Sequence, residues 1–155
     1  MEAGSGTAPL RLVCFALGPQ ELAFPIADVR ETVPMQPITR VFLTPPAIAG
    51  VFSLRGEIVT ALDLAHLLGV PSRTADAQSR IVVIETAAGS AAIVADRLCD
   101  LRTLDQPLDP PPPNVATDVA ALLAGVAVTP TGTVRVLDAN ALLAAVQPRK
   151  EGSPT

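Results

Sequence analysis

Gly50-Val51-Phe52-Ser53-Leu54-Arg55-Gly56-Glu57-Ile58-Val59-Thr60-Ala61-Leu62-Asp63-Leu64 sets two apolar runs on either side of a single Arg-Gly corner. Val51 and Leu54 lead in, and Ile58, Val59, Ala61 and Leu62 lead out. The reading is two strands meeting at a tight turn, with Gly56 supplying the backbone freedom that the turn needs. Arg55 is an unusual residue to place at such a join. One reading is a solvated turn arginine. The other starts from the core-like Leu54 and Ile58, which pin the corner and make Arg55 a pre-ordered fork able to hold a carboxylate in two hydrogen bonds. The segment has no nucleophile–base pair and no metal cluster, so it reads as a recognition corner.

Working outward, the flanking chain is predominantly strand. Residues 1–9 read as a mobile tail. Leu10–Leu17 is apolar on both alternating faces, as a strand buried on two sides would be. Gly18-Pro19-Gln20 is a turn signal, and residues 21–24 return as a second strand. A short helix is expected over 26–33, started by Pro25 and stopped by Pro34 and Pro37. Asp28 and Glu31 would then lie in its first turns, where negative charge is favoured. Residues 38–42 are expected to be extended, and Pro45-Pro46 breaks the chain before the opening stretch. Asp63 can cap a helix Leu64–Leu68, and Gly69 can close it. Residues 70–79 read as a connector.

The second half repeats the theme. Arg80–Thr86 is a clear strand, Gly89-Ser90 is read as a turn, and 91–95 returns. Residues 98–104 alternate as an edge strand would, and Pro110 to Pro113 form a stiff extended loop. Residues 122–129 and 133–137 form another hairpin around Pro130-Thr131-Gly132. Asp138 can cap a last helix, Ala139–Val146. Residues 147–155 read as a tail. About nine short, hairpin-linked strands with few helices favour barrels or sandwiches, and the strand–helix alternation of a doubly wound sheet is missing.

Composition narrows the function. The 155 residues suit one domain, or two small lobes sharing a core. Apolar residues are 49% and aromatics only 3%, with neither Trp nor Tyr, so Val, Leu, Ile and Ala must build the core. Fifteen acids against eleven scattered bases give a net charge of −4, which argues against a nucleic-acid binder. Cys14 and Cys99 are distant and unpatterned, and are expected to be small buried hydrophobes rather than a disulfide or a reactive thiol. The first eight residues lack a signal peptide's basic and apolar regions. The longest uncharged run, 119–134, is broken by Gly125, Pro130 and Gly132 and is too short to span a bilayer. A soluble, cytoplasmic protein is expected, reaching membranes only through partners.

Catalytic groupings are scarce. His66 is the one histidine, and it sits beside a Leu run where a packing role is expected rather than catalysis or metal binding. Phosphate-cradling loops, dinucleotide fingerprints and a nucleophile elbow are all missing. Of the acids Asp28, Glu31, Glu57, Asp63, Asp96, Asp100 and Asp138, several have structural readings as caps or first-turn charges. The inventory predicts a non-enzyme with no cofactor.

The order of short motifs resembles the CheW adaptor family of bacterial chemotaxis. Val29-Arg30-Glu31 resembles the family's Val-x-Glu motif, expected on the short helix. Ile38-Thr39-Arg40-Val41 and Pro45-Pro46 resemble its Ile-Thr-Arg strand and Pro-rich turn. Gly50-Val51-Phe52-Ser53-Leu54-Arg55-Gly56 resembles its Gly-Val-x-Asn-Leu-Arg-Gly motif, with Ile58, Val59, Asp63 and Leu64 as the sequel. Val94-Ala95-Asp96, Gly125-Val126 and Leu137-Asp138 through Leu142-Leu143 continue the likeness, which runs over 10–146. Ser53 stands where the family has Asn, keeping a hydroxyl but losing an amide. Thr60 stands where Pro is common.

This resemblance implies a mostly β fold of two intertwined SH3-like five-stranded β-barrel lobes with a few short helices, occupying 10–146 with a connector near 70–79. It implies a non-catalytic scaffold that couples the cytoplasmic tips of methyl-accepting chemoreceptors to the histidine kinase CheA. Such a scaffold associates with receptor arrays at the inner membrane through those partners, without direct membrane or nucleic-acid contact. Val29, Glu31, Gly50, Arg55 and Gly56 would line or brace a receptor groove between the lobes. Ile38, Thr39 and Val41 would lie nearer the kinase contact. Arg55 and Glu31 are expected to form an ion pair fixing the groove wall. The alternative is a regulatory domain binding another signalling partner or a small ligand outside motility.

Overall fold

Strand-forming segments follow one another almost without interruption, and the computed structural model, which describes residues 9–71, 74–130 and 132–146, gathers them into two sheets. The strands are β1 (Leu10–Leu17), β2 (Gln20–Pro25), β3 (Val29–Pro34), β4 (Ile48–Leu54), β5 (Glu57–Leu62), β6 (Arg80–Thr86), β7 (Gly89–Ala95), β8 (Arg97–Leu104), β9 (Leu123–Thr129) and β10 (Gly132–Leu137). The helices are α1 (Leu64–Leu68), α2 (Thr117–Ala120) and α3 (Ala139–Val146). Of the tails expected over 1–9 and 147–155, all but Pro9 lie outside the described residues.

One sheet has the order β8-β1-β2-β10-β9 and the other β3-β6-β7-β5-β4. The two orders are the same topology read from different starting points in the chain. β8 corresponds to β3, β1 to β6, β2 to β7, β10 to β5 and β9 to β4. Each sheet has one parallel pairing at the matching place, β2 with β10 and β5 with β7, and the rest are antiparallel. The first lobe is assembled from both ends of the chain, and the second, β3 to β7, is inserted between them. The chain crosses between lobes at 26–28 and at Asp96. The stretch 70–79 joins α1 to β6, on the second lobe's own side of those crossings.

Two-sided burial of the central strands explains their apolar run on both faces. Leu12 and Cys14 of β1 face the first lobe's interior with Ala23, Val134 and Val136. Ile81 and Val83 of β6 face the second lobe's interior with Val33, Phe52, Leu54 and Val59. The opposite faces, Phe15, Leu17, Leu22 and Phe24 against Val82, Ile84, Ala91 and Ile93, meet in the largest cluster, joined by α1 and α3. Phe15 and Phe24 stack with ring centres 5.7 Å apart. The second sheet curls until its edges meet, because Val33 on one edge and Phe52 on the other share one apolar cluster. This is a barrel-like closure, and the architecture is the expected two-lobed β fold.

Local expectations held where side-chain chemistry is decisive. The Asp63 carboxylate accepts the His66 N–H at 3.0 Å, and Gly69 ends α1 at φ 69°. Asp138 caps α3 through the Ala141 N–H at 3.1 Å. Elsewhere the structure departs from the reading. The expected helix over 26–33 is a single 3-10 turn, Ile26–Asp28, followed by β3. Val29, Thr32 and Val33 are β-branched and pair with β6, so tertiary pairing overrides the helical start at Pro25. Val29-Arg30-Glu31 therefore lies on a strand, and Glu31 is not a first-turn helix acid. Within 38–42 only Thr39 makes a β-bridge, to Val51. Gly89-Ser90 opens β7 rather than forming the turn. The short helix α2 had no signal beyond a few polar residues.

Candidate functional site

Leu54 pairs with Glu57, which leaves Arg55 and Gly56 as a two-residue hairpin loop. Both residues have positive φ, 53° and 85°. That turn geometry matches the natural twist of the flanking strands. Gly56 has open space around its α-carbon, so its glycine is needed for backbone angle alone. Arg55 holds a left-handed conformation that β-carbons resist, an arrangement that costs energy and persists only when its surroundings over-determine it.

Those surroundings are charged. Arg55 Nη1 donates to Glu31 Oε2 at 2.6 Å. Arg30 Nε stands 3.6 Å from the same oxygen, and Arg30 Nη1 reaches Glu57 Oε1 at 3.3 Å. Four charges of alternating sign thus tie β3 to the β4–β5 corner, across the two edges of the sheet. The Arg55 hydrogen bond holds the Glu31 carboxyl below the usual glutamate range, with the charges of Arg55 and Arg30 adding to it. Reciprocally, that bond raises the Arg55 guanidinium. The Arg55 side chain remains 66% exposed while Glu31 is 18% exposed. A guanidinium has five N–H donors, so an exposed one engaged at a single nitrogen can accept a second carboxylate.

Gly50 lies at φ 155° where the segment around Ile38 and Thr39 crosses β4. Thr39 and Val51 exchange both backbone hydrogen bonds at 2.8 Å. A β-carbon on Gly50 would collide with the Thr39 carbonyl oxygen and stand 2.8 Å from Ile38 Cγ2. Ile38 packs on the second lobe's interior cluster, and Val29 packs on the shared core. The structure therefore brings Glu31, Arg55 and Gly56 together, groups Ile38, Thr39 and Gly50 as a backbone clamp, and leaves Val29 in a packing role. Val41 is exposed.

Three features escaped the sequence reading. Arg30 and Glu57 extend the charged cluster, and only the fold brings them within reach. Phe42 and Leu43 are 86% and 89% exposed, on a turn fixed by the Thr44 hydroxyl donating to the Val41 carbonyl at 2.8 Å. Leu43 sits at φ 63°, so the turn holds a large apolar side chain outward in a conformation that favours glycine or asparagine. Beside α3, on the second lobe, lies an apolar hollow lined by Ile48, Thr60, Leu62, Ala91, Leu143 and Val146. None of Val29, Glu31, Gly50, Arg55 or Gly56 lines it.

The matching place on the first lobe is different. Gly125-Val126 bridges to Asp109 as Gly50-Val51 bridges to Thr39, with backbone bonds of 2.8 and 2.9 Å. Yet the corner residue corresponding to Arg55 is Pro130, and the strand position corresponding to Glu31 is Asp100. The cation of the charged corner exists on one lobe only.

Four likenesses to known proteins accord with this geometry. The family model described as a CheW-like domain matches residues 11–147. The "Probable chemotaxis protein CheW" of Rhizobium etli is 29% identical over 108 residues, 70% of either chain. The "Chemotaxis protein CheW" of Bacillus subtilis is 25% identical over 134 residues, 86% of either chain. Among solved structures, the scaffolding protein TtCheW from Thermoanaerobacter tengcongensis superposes with a TM-score of 0.76 at 28% identity, over 89% of this chain and 90% of that one.

Proposed function

Since the chain belongs to the CheW-like domain family, we propose that it is a non-catalytic adaptor of chemotaxis signalling that holds a chemoreceptor tip and a CheA-type histidine kinase side by side. The observation that carries this reading is one body with a shared core and two unlike lobes. Both lobes have one topology and share one core, but only the second bears the Arg55–Glu31 corner and the Phe42–Leu43 turn. Two surfaces on one frame, each of modest affinity, gain strength when both are engaged. Arg55 and Glu31 brace the receptor-facing surface together with Gly50 and Gly56, and the segment with Ile38, Thr39 and Val41 serves the kinase side. The apolar hollow between the second lobe and α3 supplies the burial that a helical receptor tip needs. Array association at the membrane follows from those partners, and no helix among the described residues is long and apolar enough to cross a bilayer.

The test is co-sedimentation with a chemoreceptor cytoplasmic fragment, with and without the kinase. The expected result is capture of the chain by the fragment, enhanced when kinase is added. Arg55→Ala and Glu31→Ala proteins should fold and be captured poorly. Undiminished capture of both variants would remove the charged corner from the receptor surface, and no capture of the unaltered chain by either partner would sink the adaptor reading.

A further inference from the structure

Cys14 and Cys99 are remote in sequence and adjacent in the fold. β1 and β8 run antiparallel, with Val13 opposite Leu101 and Phe15 opposite Leu98. Between those pairs β1 contributes only Cys14, while β8 contributes Cys99 and Asp100. The irregularity is a bulge that sets two residues, Cys99 and Asp100, against the single Cys14. Both side chains lie on the same side of the sheet, because Cys14 belongs to the first lobe's interior cluster and Cys99 packs against that cluster. In a regular antiparallel ladder facing Cα atoms lie about 4.5–5.5 Å apart, and the two residues of a bulge share the place of one such partner. That falls within the roughly 4.4–6.8 Å that a disulfide spans. Both thiols are free, Cys14 fully buried and Cys99 partly exposed.

Arginines frame the pair. Arg102 takes the inward position that Val33 holds in the second lobe, and its Nη2 meets Glu21 Oε2 at 3.1 Å. The Arg102 guanidinium favours the Cys14 thiolate, and Arg97 and Arg102 favour that of Cys99. Burial outweighs these cations and pushes the Cys14 thiol up to about 11, with the neighbouring Cys99 contributing. Burial raises Cys99 as well, and Glu21 adds to it.

We propose that Cys14 and Cys99 form a dithiol that a peroxide closes into an intramolecular disulfide, stapling edge strand β8 to β1. The Cys99 sulfur, the more exposed, attacks one oxygen of hydrogen peroxide as thiolate. The O–O bond breaks, giving Cys99 sulfenic acid and, with the thiol proton, water. Cys14 then loses its proton, and its sulfur displaces hydroxide from the Cys99 sulfur. The S–O bond breaks, the S–S bond forms and a second water leaves. The two sulfurs give two electrons to the peroxide, and two thiols with one peroxide yield one disulfide and two waters. Arg97 and Arg102 stabilise the thiolates as they form. This inference does not depend on the adaptor reading.

The experiment treats the intact protein with hydrogen peroxide, denatures it, alkylates free thiols and weighs the product. The expected species is a monomer lacking two hydrogens, with neither cysteine alkylated, restored to two alkylatable thiols by dithiothreitol. Its rate should rise roughly tenfold per pH unit above neutrality, since only the thiolate reacts. Its melting temperature should exceed that of the reduced protein. Cys99→Ser, a change at a partly exposed position, should leave Cys14 fully alkylatable after the same treatment. Sulfinic acid on Cys99 with Cys14 still alkylated, disulfide-linked dimers between copies, or two alkylated thiols after excess oxidant would each overturn the proposal.

Discussion

Arg55 is held in a left-handed turn by a single strong partner, and its contribution to stability follows from that partner's titration. Glu31 is more acidic in the folded protein than in the unfolded chain. Its contribution is therefore present above the ordinary glutamate value of 4.5 and is lost as pH falls through the lowered one. The melting-temperature gap between the unaltered protein and Glu31→Gln should be open at neutral pH and should close on acidification. A gap that widens on acidification would mean that Glu31 does not carry the pair's charge. Because Arg55 is largely solvated, that gap should be small, and the pair's main value lies in positioning. Gly50 is the opposite case, a residue with no charge and a severe constraint. Gly50→Ala should cost about 1–3 kcal/mol through positive φ and collision with the Thr39 carbonyl. Thermal unfolding measures this, and the Thr39 amide should exchange faster in the variant.

At the scale of elements, two caps of one design sit in unlike surroundings. Gly50-Val51 leads to Leu62-Asp63 and Leu67-Leu68 at the same intervals as Gly125-Val126 leads to Leu137-Asp138 and Leu142-Leu143. Each Asp caps the helix that follows its strand. Asp63→Ala should destabilise by about 1 kcal/mol, the usual value of such a cap. Asp138→Ala loses the same bond but also removes a charge that, after burial itself, raises Asp28 above the usual aspartate range. Its net cost should therefore be smaller than that of Asp63→Ala, a comparison that denaturant titration of the two variants decides. Near-equal costs at acid pH, where Asp28 is neutral, would support the same account. The strand β3 shows the other side of element formation. Pro25 can start a helix, but the β-branched Val29, Thr32 and Val33 pair with β6 and bury Val33.

At the scale of the whole molecule, the shared cluster makes the two lobes one folding unit. Leu142 on α3 is fully buried in the cluster that also holds Phe15, Ile84 and Ile93. Leu142→Ala should cost about 2–5 kcal/mol, and both lobes should still unfold in one transition. Two separate transitions would show that the lobes are independent. Asp96 ties the crossing between them, its amide donating to the Ala16 carbonyl at 2.9 Å and its carboxylate accepting the Gly18 N–H at 2.5 Å. Asp96→Ala should lower the melting temperature and speed exchange of the Gly18 amide specifically.

The sequence by itself determined several features governed by neighbours along the chain, though it missed α2 and the turn at Val41 to Thr44. These are the Arg55-Gly56 corner, the Asp63 and Asp138 caps, the Gly69 stop, and the strands whose two apolar faces required burial on both sides. Motif order was enough to suggest the family, because spacing is a property of the chain. Tertiary structure alone decided what depends on distant partners: that β1 and β2 complete the lobe begun by β8 to β10, that Glu31 makes its expected pair with Arg55 from a strand rather than a helix, and that Arg30 and Glu57 join them. It also brought Cys14 to Cys99 and turned Phe42 and Leu43 outward. The physical reason is that backbone preferences and caps act over a few residues. Sheet pairing and charge contacts are instead fixed by which surfaces the shared core brings together, and a local pattern does not contain that information.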